Sequence, residues 1–157
     1  MINDKLGTTE DMLVWAKGVM FSRTPDFIIG QNYLRRWWIV PRNPAGGCYL
    51  HRIERSDDDR ALHDHPWDNT SFFLEGTVTE ETPTGRVVRS AGEIVQRKAT
   101  DRHRLEIEPG TYAVSLFFFG PWQRDWGFWC DEGNRFVPWW EFTDPGDKGA
   151  VGRGCGE

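Results

Sequence analysis

The stretch Leu62-His63-Asp64-His65-Pro66-Trp67-Asp68 decides how this chain is read. In an extended strand, residues two apart point to the same face, so His63 and His65 would enter one space. A third histidine, His103, lies in Thr100-Asp101-Arg102-His103-Arg104-Leu105-Glu106-Ile107. That segment also reads as a strand, with His103, Leu105 and Ile107 on one face and Arg104, Glu106 and Glu108 on the other. The chain has 4 histidines, so three of them fall where two strands can aim them at one point. Neutral imidazole is the commonest metal ligand.

The residues around these histidines resemble the two motifs of the cupin superfamily. In the first motif His63 and His65 are followed by Pro66, Trp67 and Asp68, Asn69 occupies the usual glutamate position, and Gly76 falls at the motif glycine. In the second, Gly92 opens the motif, Lys98 and Thr100 replace its proline and glycine, and His103 closes it. The resemblance spans residues 33–119. It implies an all-β fold, the double-stranded β-helix or cupin jelly roll, and a three-histidine metal site. The replaced glutamate leaves a fourth ligand open. Asn69 has the right strand parity but is a neutral oxygen donor. Asp68 has the opposite parity unless a bulge intervenes. Asp64 and Asp68 are read instead as carboxylates that accept the outer N–H of ligating histidines.

Imidazole suits several transition metals, so the ligands do not choose the ion. The cysteine-dioxygenase-like branch of the cupins also lacks the motif glutamate and uses three histidines. That resemblance favours Fe(II), with Zn or Ni as alternatives, and dioxygenation of a small polar or anionic substrate. Two other readings stay open. One is a noncatalytic small-molecule-binding cupin, whose compactness and short basic-aromatic runs suggest phage origin. The other is a metal-free cupin resembling the sugar-nucleotide epimerases, which needs a His–carboxylate pair and a tyrosine acid. His65 with Asp68 or His63 with Asp64 would be the pair, and Tyr49 or Tyr112 the acid. No catalytic residue is assigned.

For substrate contacts, His51 shares a face with Tyr49 and Ile53, and reads as a pocket-wall or core histidine. In Gly120-Pro121-Trp122-Gln123-Arg124-Asp125-Trp126, Arg124 could fork onto a carboxylate or phosphate while Trp122 and Trp126 supply flat walls. The plainer reading of that segment is an aromatic seam. Arg102 is a further anion-binding candidate, although alternation turns it away from His103.

Around this centre the chain reads as one domain over residues 1–143: an N-terminal helical segment (1–30), the barrel core (33–119) and an aromatic β-hairpin (120–143). Thr8 or Thr9 caps the helix, with Glu10 and Asp11 in its first turn. Met12, Trp15, Ala16, Val19 and Met20 form its apolar stripe. Strands are expected at 33–40, 48–55, 71–80, 86–89, 94–97, 112–119, 126–130 and 136–142. Residues 144–157, rich in glycine and charge, read as a flexible tail.

A net charge of −5 argues against a general nucleic-acid binder. No apolar run approaches membrane-spanning length, and no secretory h-region is visible. The 3 cysteines, Cys48, Cys130 and Cys155, form neither a zinc-finger spacing nor an evident disulfide framework, which makes the cytoplasm the default. Expected partners are a small molecule and a second copy of the chain. The Trp37-Trp38 and Trp139-Trp140 pairs suggest a homodimer, because within a strand one member of each pair faces outward.

Overall fold

The structure, a computed structural model, describes residues 7–31, 33–57, 61–147 and 149–156. Helix α1 (Thr9–Ser22) begins with a capping box, in which Asp11 N donates to the Thr8 hydroxyl and Thr8 N donates to the Asp11 carboxylate. These bonds satisfy helix-end donors that lack a partner within the helix. Twelve strands follow among the described residues: β1 (Phe27–Ile29), β2 (Leu34–Asn43), β3 (Gly46–Ile53), β4 (Leu62–His63), β5 (Asn69–Glu75), β6 (Thr77–Thr82), β7 (Gly85–Ser90), β8 (Ile94–Arg97), β9 (Arg104–Glu106), β10 (Ala113–Phe119), β11 (Gly127–Cys130) and β12 (Arg135–Pro138). They form three antiparallel sheets, ordered β1-β2-β3-β10-β5-β8, β7-β6-β9 and β12-β11-β4.

Strand alternation divides the six-stranded sheet into two different faces. Trp37, Cys48, Leu50, Leu74, Val114 and Leu116 form one core with Ala16, and Met12, Leu13, Val19 and Met20 of α1 pack against it. The opposite face looks into the barrel. Its floor is Leu34, Ile53, Phe73 and Ala113, closed from the facing sheet by Val78 and Ile107. One strand step further along the same face, the inward side chains become Arg36, His51, Ser71, Arg97 and Ser115. Above these lie Tyr49, Phe117 and Phe119, with Trp67 against them. The barrel therefore holds a polar belt between an apolar floor and an aromatic upper layer.

Several element boundaries differ from the sequence reading for identifiable reasons. The single strand expected over residues 71–80 is two. Gly76 sits between them at φ +79°, where a Cβ would lie 2.3 Å from the Tyr112 carbonyl oxygen. This turn passes the chain from one sheet to the other, opposite a register shift between Val114 and Ser115. Pro41 lies within β2 rather than ending it, in a stretch of shifted register. Proline is tolerated at such irregular sites because no ladder donor is needed there. The strand expected over 136–142 stops at Pro138, and Trp139–Phe142 form a helical turn, α2. That turn brings Phe142 back over Phe128, with ring centroids 3.7 Å apart and nearly parallel.

The C-terminal segment is also not the free tail expected. Val151 bridges to Thr143, Gly152 N and Gly154 N donate to the Phe142 carbonyl, and Cys155 is disulfide-bonded to Cys130. The two cysteines, whose spacing gave no evident disulfide framework, are 25 residues apart in sequence with Cα atoms 5.7 Å apart. Cys48 is the buried free thiol. Of the tryptophan pairs, Trp37 is buried against the core that α1 covers, while Trp38, Trp139 and Trp140 are exposed. No helix of the described residues is long and apolar enough to cross a membrane.

Candidate metal centre

His63, His65 and His103 converge. Each offers one ring nitrogen to a cluster in which the three atoms lie within 4.8 Å of one another. Ring centroids are 5.2 Å apart for His63 and His65, 4.8 Å for His63 and His103, and 5.1 Å for His65 and His103. The local backbone differs from the uniform strands expected. β4 ends at His63, and His103 lies just before β9. Reciprocal backbone bonds of 2.9 Å between His63 and His103 pair the two residues directly. His65 is held by its own N–H donating to the Ala99 carbonyl at 3.1 Å. Its ring faces the same cluster as those of His63 and His103.

Glu80, absent from the residues singled out above, organises the deep side of this cluster. It is 2% exposed, and one carboxylate oxygen lies 2.7 Å from His103 Nδ1 and 2.6 Å from Arg97 Nε. Its other oxygen accepts from Arg89 Nε at 2.8 Å, and Arg97 Nη1 donates to Ser71 Oγ. Burial alone would push the Glu80 carboxyl up, but the hydrogen bonds from His103 and Arg97 and the Arg97 charge hold it well below the carboxylate range. An ionised Glu80 accepts the His103 Nδ1 proton and leaves Nε2 as the free lone pair. This orients an imidazole for ligation. The position was legible in part, since alternation in β6 puts Glu80 on the same face as Val78.

Burial keeps the other histidines neutral. It pushes His63 down to about 4 against a partial counter-effect from Asp57, and it holds His65 far below the ordinary histidine value, aided by His103 and His63. The His65 Nδ1 atom is buried without a hydrogen-bond partner. A bound cation would satisfy such an atom, and three neutral imidazoles with one Nδ1 already engaged are a suitable donor set for a divalent transition metal. The residues therefore fit the metal that the resemblance implies.

Of the three oxygen donors considered beside the histidines, Asp64 and Asp68 are engaged by other partners. Asp64 is fully buried on the opposite face, where it accepts from Gly127 N and Trp129 Nε1, both at 2.9 Å, and ion-pairs with Arg124 Nη1 at 2.6 Å. It secures the segment before β11 rather than a ligand histidine. Asp68 accepts from Ala99 N and Lys98 Nζ, which together hold its pKa down. These partners also remove the His63–Asp64 and His65–Asp68 pairs that the epimerase-like reading required. Asn69 is buried with Oδ1 unpartnered and Nδ2 3.5 Å from the Trp67 carbonyl.

The expected substrate contacts divide in the same way. Arg124 is committed to Asp64, and Arg102 lies 3.3 Å from the Trp129 ring centroid while donating to the Gly133 carbonyl. Trp126 stands edge-on to His63 at 6.5 Å and stacks on Trp139 at 6.2 Å, so it flanks the cluster and belongs to the aromatic seam. His51 and Tyr49 line the barrel wall. His51 accepts from Arg36 Nε at 2.9 Å and stacks on Phe117, which in turn lies 5.9 Å from His65. A surface cleft of about 410 Å³ is bordered by Asp68, Asn69, Arg97 and Phe119, and another of about 390 Å³ lies between α1 and the outer sheet face; neither is lined by a histidine.

No protein-family model matches the chain, and no curated protein does. Solved structures do. A protein with a double-stranded β-helix domain from Klebsiella pneumoniae aligns with a TM-score of 0.52 at 12% identity, over 80% of this chain and 97% of that one. The nucleoside dehydratase Pac13 aligns at 0.51 and 11% identity, over 69% of this chain and 84% of its own. The polyketide cyclase RemF from Streptomyces resistomycificus aligns at 0.50 and 16% identity, over 64% and 70%. At these identities the likeness concerns the fold and leaves activity open. With the sheet order and the layered interior, it gives this chain a double-stranded β-helix jelly-roll fold.

Proposed function

We propose that this protein is a metal-dependent cupin in which His63, His65 and His103 hold a divalent ion, Fe(II) before Zn or Ni. We further propose that it acts on a small anionic molecule as a non-haem oxygenase-like enzyme. The observation that carries the reading is the convergence of three ring nitrogens with His103 Nδ1 fixed by the buried Glu80 carboxylate. Bound iron would supply Lewis acidity and redox capacity at this point. The protein's own residues supply the rest. Glu80 holds the His103 tautomer, burial keeps His63 and His65 unprotonated, and Phe117 and Trp126 limit water around the cluster. Three neutral ligands leave the charge of a divalent ion uncompensated, which favours an anionic substrate.

Elemental analysis of protein purified without a nickel column tests the centre. Near-stoichiometric metal is expected in the wild type and in His51→Ala, and its loss in His63→Ala, His65→Ala and His103→Ala. Unchanged metal in the triple-histidine variant would remove the site. Oxygen consumption by the iron form with small thiol, amino-acid and carboxylate substrates tests the enzymatic part. No turnover across that panel, with a cellular small molecule tightly retained, would instead support the noncatalytic binding reading. A homodimer would rest on the exposed Trp38, Trp139 and Trp140. Light scattering that returns a mass near 18.2 kDa would exclude it.

A further inference from the structure

Arg36 occupies the barrel wall on the side away from Glu80. It shares its strand face with Leu34 of the floor and pairs in register with His51. Its Nε donates to His51 Nε2 at 2.9 Å, and its guanidinium carbon lies 4.6 Å from the Tyr49 ring centroid. Among the described residues no carboxylate pairs with it. The neighbouring arginines contrast with this. Arg35, on the outer face, binds Glu54, and Arg89 and Arg97 share Glu80. His51 gives Arg36 no counter-charge, because burial and the guanidinium itself keep that imidazole neutral. Burial pulls Arg36 down to about 10, which still leaves it charged at neutral pH.

A cation held in a partly buried wall without an anion is costly, and a bound anion offsets that cost. With Nε committed to His51, the two Nη groups remain as a planar fork, which matches the two oxygens of a carboxylate. The surroundings above it are flat and apolar. Tyr49 packs with Phe119 at 4.6 Å, and His51 stacks on Phe117 at 5.3 Å. Phe117 bridges this wall to His65 of the histidine cluster.

We propose that Arg36 is the specificity-determining anion receptor of the barrel, binding the carboxylate of a small flat organic acid whose body lies along Phe117 toward the three histidines. The role of that acid as a substrate rests on the metal-dependent reading, whereas its capture by Arg36 does not. Benzoate serves as the probe, titrated into metal-stripped and metal-loaded protein and followed by tryptophan fluorescence, with inorganic phosphate at equal ionic strength in parallel. Saturable benzoate binding is expected in both forms, with affinity weakened roughly tenfold or more in Arg36→Met, the scale of losing hydrogen bonds to a charged group. Arg36→Lys, which keeps the charge and loses the fork, should fall between them. The metal content of Arg36→Met should equal that of the wild type.

Unchanged benzoate affinity in Arg36→Met, or no saturation in the wild type, overturns the proposal. Phosphate binding as tightly as benzoate overturns the carboxylate assignment. Should Arg36→Met fail to fold, the Arg36 Nε–H resonance of the wild type decides: benzoate should shift it, and a resonance that stays fixed overturns the inference. Arg36-dependent benzoate binding in a protein that retains no metal would leave this inference standing and remove the metal-dependent function.

Discussion

The two ends of the barrel's polar belt are built oppositely. Around Glu80, one buried carboxylate is shared by Arg89, Arg97 and His103, so every charged group there has a partner. Around Arg36, one cation faces a neutral histidine and an aromatic ring. The first end resembles the structural support of a site, since its groups satisfy one another within the fold. The second is incomplete within the fold. Composition does not distinguish them, as both are arginine beside histidine. The presence of an anion does.

Removing Glu80 should have the largest effect. Glu80→Ala leaves Arg97 buried opposite Ser71 alone and releases His103 Nδ1. Breaking a buried charge network in this way typically costs about 3–5 kcal/mol. Loss of the orienting carboxylate should also weaken metal affinity by roughly 10–100-fold. Urea unfolding and metal competition measure the two effects separately. A variant that loses less than about 1 kcal/mol would show that the shared carboxylate does not hold this end of the belt together.

The C-terminal disulfide tests whether support reaches the site from outside the barrel. β11 pairs with β4 through Phe128 and His63, and Phe128 stacks on Phe142 in the cluster that contains Cys130. Closing a loop of 25 residues corresponds to about 3–4 kcal/mol of chain entropy. Cys155→Ser should therefore lower stability by about that amount. It should also disturb metal binding before benzoate binding, because His63 lies beside the hairpin and Arg36 does not. Equal loss at both ends of the belt would argue against this route of support.

Acid should act on the histidine-rich interior in a defined window. Folded His63 titrates near 4, against an ordinary value of 6.5. Between these values the unfolded chain binds more protons than the folded one, so stability rises with pH across the window and falls as pH drops from about 6.5 to 4. The integrated contribution of this one group is roughly 3 kcal/mol. Urea midpoints measured from pH 7 to pH 4 read the slope, and His63→Gln should flatten it. A slope unchanged in that variant would mean that His63 is not kept neutral by burial.

How far the sequence leads depends on whether partners are local. The H-x-H run and the Gly76 and Gly92 turns set the histidines by short-range geometry, so the three-histidine cluster and the jelly roll were legible. Glu80 was half legible: the alternation Val78–Glu80 turns it inward, but Arg89, Arg97 and His103 reach it only through sheet pairing. Asp64 and Arg124 each looked free to serve the site because their mutual contact spans separate elements. The Cys130–Cys155 bond was hidden by the turn after Pro138. The apolar run through Phe142 continues a strand pattern there, whereas the chain folds back as a helical turn.

The smallest effect should come from Arg36, and that smallness is informative. Arg36→Met removes a charge of similar side-chain length from the wall without orphaning any carboxylate, in contrast to the Glu80 network. It also leaves His51 Nε2 without its donor, a cost of about 1 kcal/mol that relief of the desolvated cation offsets. The expected change in unfolding free energy is therefore within about 1 kcal/mol of zero, of either sign. A group retained for stability would give a clear loss on deletion, as Glu80 should. A group retained for a ligand should give little change in the free protein and a large change once the anion is present. Urea unfolding of wild type and Arg36→Met, with and without saturating benzoate, separates the two. Stabilisation by benzoate is expected in the wild type only. A loss of about 3 kcal/mol in the free variant would make Arg36 part of the scaffold and dissolve the contrast between the two ends of the belt.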